Sequence, residues 1–216
     1  MPRIVSLLAG LLLAVILSPP TQAQDTDTTS ILHDIQVRYE ALDGLRADFT
    51  QVIRSDFSEN TTRMRGDLLL QQNKYRVETD EQTLVTDGTT TWIYTPADQQ
   101  VIINHTEQDA STLSPETFFT DYAERYTVQR EKRVRRDGDR HRLLTLQPMS
   151  TRTMFEQVRL WVRTEDLVIT RLQVTDRDGS EITISLDNVD LTPALRARDF
   201  RFTPPEGVEV IDLRSS

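Results

Sequence analysis

From Leu45 to Asp190 the apolar residues of this chain recur at every second position in short runs, the period of a half-buried β-strand and not of a helix. Leu45, Ala47, Phe49 and Gln51 share one face against Arg46, Asp48 and Thr50. The same alternation returns in Met64, Gly66, Leu68 and Leu70, and again in Val158, Leu160 and Val162. Further strand-like runs are Tyr75 to Thr79, Thr83 to Thr86, Thr91 to Tyr94, Gln100 to Asn104, Tyr126 to Arg135, His141 to Gln147, Val168 to Thr175 and Glu181 to Asp190. That makes about eleven strands. Asp87-Gly88, Asp137-Gly138 and Asp178-Gly179 sit between such runs, and Asp-Gly is a preferred pair for tight hairpin turns. The pattern predicts one strongly curved antiparallel sheet of many strands.

Two segments break the period. Ile31, Leu32, Ile35, Tyr39 and Leu42 recur at helical spacing, which predicts an amphipathic helix with Thr29 or Ser30 as N-cap, ending at Gly44. Between Thr112 and Glu124, Ser114-Pro115-Glu116 starts a second helix that carries Phe118, Phe119 and Tyr122. Pro193 to Asp199 reads as a short helical turn or loop. Both helices are expected to lie against the sheet. Ahead of them, Arg3 precedes an unbroken apolar run from Leu7 to Leu17, then Ser18, Pro19, Pro20 and small residues up to Ala23. The run is well short of the ~20 residues that a membrane span needs, so residues 1–23 read as a secretory signal peptide. Residues 24–216 then form a single soluble domain.

Composition removes several function classes. The chain has no cysteine, hence no disulfide framework, no thiolate zinc site, no cysteine nucleophile and no thiol for lipid attachment. A formal charge of -9 argues against binding nucleic acid. No serine elbow, phosphate-cradling glycine loop or zinc-binding histidine pair is present, and His33, His105 and His141 are not spaced to converge. Asp176, Asp178, Gly179 and Glu181 are explained by a hairpin and lack the spacing of a calcium loop. A carboxylate pair of the glycosidase kind is neither favoured nor excluded by the sequence. No catalytic residue, metal or cofactor is therefore expected. One hairpin concentrates positive charge in Arg125, Arg130, Lys132, Arg133, Arg135, Arg136, Arg140 and Arg142. It reads either as a solvated edge protected against strand addition or as a dock for an acidic partner or an anionic membrane.

Four blocks, in order, resemble the LolA family of periplasmic lipoprotein carriers. Leu45-x-Ala47-x-Phe49-x-Gln51 is similar to the family's first strand, and Gly66-Asp67-Leu68 to its second. Asp87-Gly88-Thr-Thr-Thr-Trp92-Ile-Tyr94-Thr-Pro96, followed by Gln100-Val101, is the most specific block. Phe200-x-Phe202-x-Pro204-Pro205-x-Gly207-Val208-x-Val210 resembles the family's C-terminal end. The resemblance implies an unclosed half-barrel of about eleven strands with helices over its concave apolar face. It implies a monomeric carrier, not an enzyme. Such a carrier takes acylated lipoproteins from an inner-membrane ATP-driven extraction complex and passes them to an outer-membrane lipoprotein acceptor. The alternative is a lipid-binding or lipoprotein-sensing module of the same fold.

On this reading Phe49, Met64, Leu68, Leu70, Tyr75, Val77, Trp92, Leu160 and Val162 line the cavity, with Phe118 and Phe119 as a lid. One block departs from the family. Its Arg-Pro pair at the turn after the second strand, whose arginine bonds to the lid, is replaced by Gln71-Gln72-Asn73-Lys74. Gln72 and Lys74 lack the guanidinium fork that would make the arginine's role transferable.

Overall fold

The structure is a computed structural model and describes residues 28–55, 61–106, 122–150, 153 and 155–214. The expected signal peptide and the lid residues Phe118 and Phe119 lie outside the described residues. Helix α1 spans Thr28–Glu40, so Thr29 and Ser30 sit inside it and are not its N-cap. It also ends before Gly44: Ala41 N still bonds to Val37 O in the α-helical pattern, and the bond from Leu42 N to Tyr39 O then tightens the last turn. The strands are β1 (Leu45–Arg54), β2 (Thr61–Gln71), β3 (Lys74–Thr79), β4 (Thr83–Thr86), β5 (Thr90–Thr95) and β6 (Gln100–His105). A short helix α2 (Tyr122–Arg125) leads into β7 (Tyr126–Arg136), β8 (Asp139–Pro148), β9 (Phe155–Arg163), β10 (Ile169–Asp176) and β11 (Glu181–Asp190). A 3-10 turn at Ala197–Phe200 precedes β12 (Glu209–Asp212).

All twelve strands belong to one sheet with the order β12-β6-β5-β4-β3-β2-β1-β11-β10-β9-β8-β7. The ends, β12 and β7, are not joined, which leaves the half-barrel unclosed. Strands β1 to β6 form one meander and β7 to β11 another, and β1 and β11 pair at the seam, with Phe49 opposite Leu186. The sequence pattern gives about eleven strands. The additional one is β12, which pairs with β6 in parallel, Val210 opposite Val101. A parallel partner cannot come from a hairpin; it needs the long connection that the chain makes between Leu191 and Val208.

Side-chain polarity explains the turns. The Asp87 carboxylate accepts bonds from the backbone N–H of Thr89 (3.0 Å) and Thr90 (2.9 Å), closing the β4–β5 connection. Gly88, at φ +90°, takes the conformation that an L side chain resists. These contacts give the Asp87-Gly88-Thr-Thr block a local structural cause.

One face of the sheet, here called inner, packs against α1. Ile31, Leu32, Ile35 and Tyr39 of α1, with Leu42 just beyond it, share a core with Leu45, Ala47, Phe49, Leu68, Leu70, Leu144, Leu160, Val162, Leu172 and Leu186. Each such side chain contributes about 1.5 to 3 kcal/mol on full burial. The helix is also held by polar contacts. The Tyr39 hydroxyl accepts from the Ile169 N–H (3.0 Å), and burial pushes that phenol's pKa up. Arg38 Nε donates to the Asp166 carbonyl (3.1 Å), and Arg163 grips the Asp166 carboxylate through Nε (3.0 Å) and Nη2 (2.7 Å).

Burial would raise the Asp166 carboxyl's pKa, but the Arg163 bonds and the Val168 N–H overcome it and hold it below the ordinary value. A carboxyl lowered in the folded state stabilises the fold above the ordinary carboxylate range and loses that contribution as pH falls through its depressed value. Asp166→Asn is therefore expected to unfold at lower denaturant than the parent at neutral pH, with the gap closing on acidification. Denaturant titrations across the acid range check this; a gap independent of pH would refute it.

Candidate functional site

Cross-strand register decides what each face presents, because residues paired directly across a ladder lie on the same face. A continuous inner row runs Ala47, Leu68, Val77, Leu84, Ile93, Ile102 through β1 to β6. Its burial is graded: Ala47 and Leu68 lie in the core beneath α1, whereas Val77, Leu84, Ile93 and Ile102 are half-buried. Val77 and Leu84 still pack against that core, and Ile93 and Ile102 are beyond it. From Val77 to Ile102 the row crosses three strand spacings, about 14 Å. A second inner row runs Leu144, Leu160, Leu172, Ile184, Gln51, Met64. It too begins fully buried and ends half-buried at Ile184 and Met64. Both rows emerge from the core towards β2 to β6 and leave there an apolar surface that α1 does not bury.

The structure brings together eight of the nine cavity residues expected from the sequence. Phe49, Leu68, Leu70, Tyr75, Leu160 and Val162 are buried in the inner core, and Met64 and Val77 pack at its margin. The ninth, Trp92, is on the other face. It pairs with Val85 and Ile103, while its neighbour Ile93 takes the inner position. Buried and half-buried residues thus have different positions on one face: Leu160 and Val162, at 0% exposure, form its floor. The sequence reading missed Leu84, Ile93 and Ile102. Each is the inner member of an apolar pair or triplet, Leu84-Val85, Trp92-Ile93-Tyr94 and Val101-Ile102-Ile103, in which alternation does not say which member points inward.

The outer face explains those triplets. Val85, Val101 and Ile103 are buried there, as is Phe200 from the C-terminal connection. Tyr94 packs on Phe202 with ring centroids 5.5 Å apart. Arg76 on β3 fastens the connection by donating to the carbonyls of Asp199 (3.3 Å) and Arg201 (3.4 Å). Elsewhere on that face the Arg171 guanidinium stacks over Trp161 at 5.0 Å.

The three histidines stand apart from one another. His33 is exposed on α1, and His105 lies at the end of β6 with Nε2 3.2 Å from the Arg214 carbonyl. His141 is buried between strands, Nε2 lying 2.8 Å from Thr170 Oγ1. Among the described residues no three His, Asp or Glu side chains are grouped to hold a metal ion. Among them, too, no helix is long and apolar enough to cross a membrane. The turn that departs from the family pattern is tied down locally: Gln71 Nε2 donates to the Asp43 carbonyl (3.0 Å), and Gln72 stands at φ +57° at its tip. The candidate site is the apolar surface that the two inner rows leave beyond α1.

Comparison with known proteins identifies the family. Residues 40–203 match the family model described as outer membrane lipoprotein carrier protein LolA. An outer-membrane lipoprotein carrier protein of Pectobacterium carotovorum is 30% identical over 185 residues, covering 84% of this chain and 87% of that protein. One from Legionella pneumophila (strain Lens) is 26% identical, covering 82% and 87%. Among solved structures, an uncharacterized conserved protein from Thermus thermophilus has a TM-score of 0.57 at 14% identity, covering 83% of this chain and 98% of that one. A LolA superfamily protein from Nitrosomonas europaea has a TM-score of 0.45 at 14% identity, covering 79% and 97%.

Proposed function

Since this chain belongs to the LolA family of outer membrane lipoprotein carriers, we propose that its inner face shields the acyl chains of lipoproteins while it carries them between the two membranes of the cell envelope. The observation that carries this reading is the row Val77, Leu84, Ile93, Ile102, which is apolar, half-buried and continuous with the core. An acyl chain laid along it gains about 0.8 kcal/mol for each methylene withdrawn from water. No bond is made or broken, so loading and release are set by how much apolar surface each state of the carrier offers. The eight inner residues from Phe49 to Val162 named above form the floor and margin of this cavity, and the segment carrying Phe118 and Phe119 is its lid. The signal sequence read in residues 1–23 puts the mature protein in the periplasm. There its cargo comes from an inner-membrane extraction complex and leaves to an outer-membrane acceptor.

Purified protein freed of lipid is expected to bind a fluorescent apolar probe. A triacylated lipoprotein should displace the probe, and the same lipoprotein expressed without its acyl chains should not. Displacement by both forms, or by neither, would refute the assignment.

A further inference from the structure

Strand β7 is one of the two ends of the sheet, and among the described residues no strand pairs with its outer side. It is eleven residues long, against four for β12 at the opposite end. An end strand of that length presents a row of backbone N–H and C=O groups without ladder partners. Its charges are disposed unusually. Register with β8 puts Arg130 and Lys132 on the outer face, opposite Thr145 and Leu143, and Arg133 and Arg135 on the inner face, opposite Arg142 and Arg140. All four, and Arg140, are exposed, and none forms an ion pair among the described residues. The hairpin's own carboxylates make their close contacts with other arginines, although the Arg133 charge also acts on Glu131. Glu131 is held by Arg142 Nε (2.7 Å) and Nη2 (2.8 Å), Asp137 by Arg136 (3.1 Å), and Asp139 lies 3.9 Å from Arg163.

We propose that this edge docks an extended acidic segment of a partner protein, which adds to the sheet beside β7. A strand laid there meets the free ladder groups along its length, and its alternating side chains face Arg130 and Lys132 on one side and Arg133 and Arg135 on the other. Opposite charges directly across a ladder stabilise the pair and like charges oppose it. The same edge therefore repels a second copy of itself, which would bring a basic strand, and admits an acidic one. A flat anionic membrane fits less well, because it can meet the cations of only one face at a time. The whole chain, this basic edge included, carries a formal net charge of -9, so an acidic partner is attracted at this edge and repelled over most of the surface. The inference is independent of what the inner face carries.

The test uses the full mature protein and a synthetic peptide of about ten residues in which glutamate alternates with threonine and valine. Binding is read by fluorescence anisotropy, and the contact by hydrogen exchange of the β7 amides. The peptide is expected to bind and to protect the amides that point away from β8. Backbone N-methylation of the peptide should abolish both effects. Reversing either face alone, with Arg130→Glu and Lys132→Glu or with Arg133→Glu and Arg135→Glu, should weaken binding about tenfold or more. A matching lysine peptide should then bind the variant carrying all four reversals. Equal binding of the N-methylated peptide would overturn the proposal in favour of charge attraction alone. Sensitivity to only one face, with protection by vesicles of phosphatidylglycerol and phosphatidylcholine but not by the peptide, would overturn it in favour of a membrane. No protection of β7 by any probe would overturn it outright.

Discussion

Replacing Gly66 by alanine is expected to cost about 3 kcal/mol of stability, a large effect for a single methyl group. Gly66 lies in the middle of β2, opposite Phe49 on one side and Thr79 on the other. A Cβ there would stand 1.9 Å from the Glu78 carbonyl oxygen and 2.9 Å from both the Glu78 carbonyl carbon and Phe49 Cε1. The first and second of these are backbone atoms in a paired strand, which can move only by disturbing the β2–β3 ladder. The third is the ring of a core residue on the inner face. The Gly66-Asp67-Leu68 block thus has a packing cause. Urea denaturation should show a lower midpoint with an unchanged slope. A midpoint equal to the parent's would mean that β3 moves aside freely and that the close approach is unimportant.

The second large effect separates two adjacent residues. Ile93→Ser is expected to weaken apolar-probe binding about tenfold, the equivalent of about 1.4 kcal/mol, with little loss of stability, because its side chain faces the half-buried inner row. Trp92→Ser is expected to do the reverse. It should cost about 2 kcal/mol of stability, because a large side chain is lost from the outer cluster around Val85 and Ile103, while probe affinity is unchanged. Both variants are compared at a temperature where each is fully folded. If Trp92→Ser weakens the probe as much as Ile93→Ser does, the assignment of faces is wrong.

That contrast also shows where sequence reading succeeds and why it stops. On β1 and β2 the outer positions are mostly polar, Val52 and Leu69 apart, so alternation in Leu45, Ala47, Phe49 and in Leu68, Leu70 identifies the inner side. On β4, β5 and β6 both faces are apolar, the inner through the half-buried row and the outer through the side chains that pack with Phe200 and Phe202. Strands that are apolar on both faces read as unbroken apolar runs, as in Trp92-Ile93-Tyr94, and carry no period from which to choose a side. What selects the face is a segment more than a hundred residues further along the chain, as the bonds from Arg76 to Asp199 and Arg201 illustrate. Ladder irregularities add to the difficulty. The registers slip between Ile169 and Arg171 and between Val128 and Arg130, and each slip reverses the face assignment beyond it. The Asp-Gly hairpins were legible because their cause is local. The parallel strand β12 was not, because its partner β6 lies far back in the sequence.

The return of the chain's end to β6 also fixes when the molecule can be finished. A ribosome delivers β1 to β6 early, yet Val85, Val101 and Ile103 have no outer cover until Phe200 has been made. The β6 edge has no partner until Glu209–Asp212 follows. On the other side of this meander, β1 waits for β11, its seam partner some 130 residues later along the chain. Closing loops of that length is slow compared with forming hairpins, so the early strands remain an incomplete and reversible structure while synthesis continues. Such a chain stays loose while it is being made and locks only after its C-terminal strand is available. A terminator codon shortly after Asp190 would then leave a polypeptide with most of its strands and no stable form.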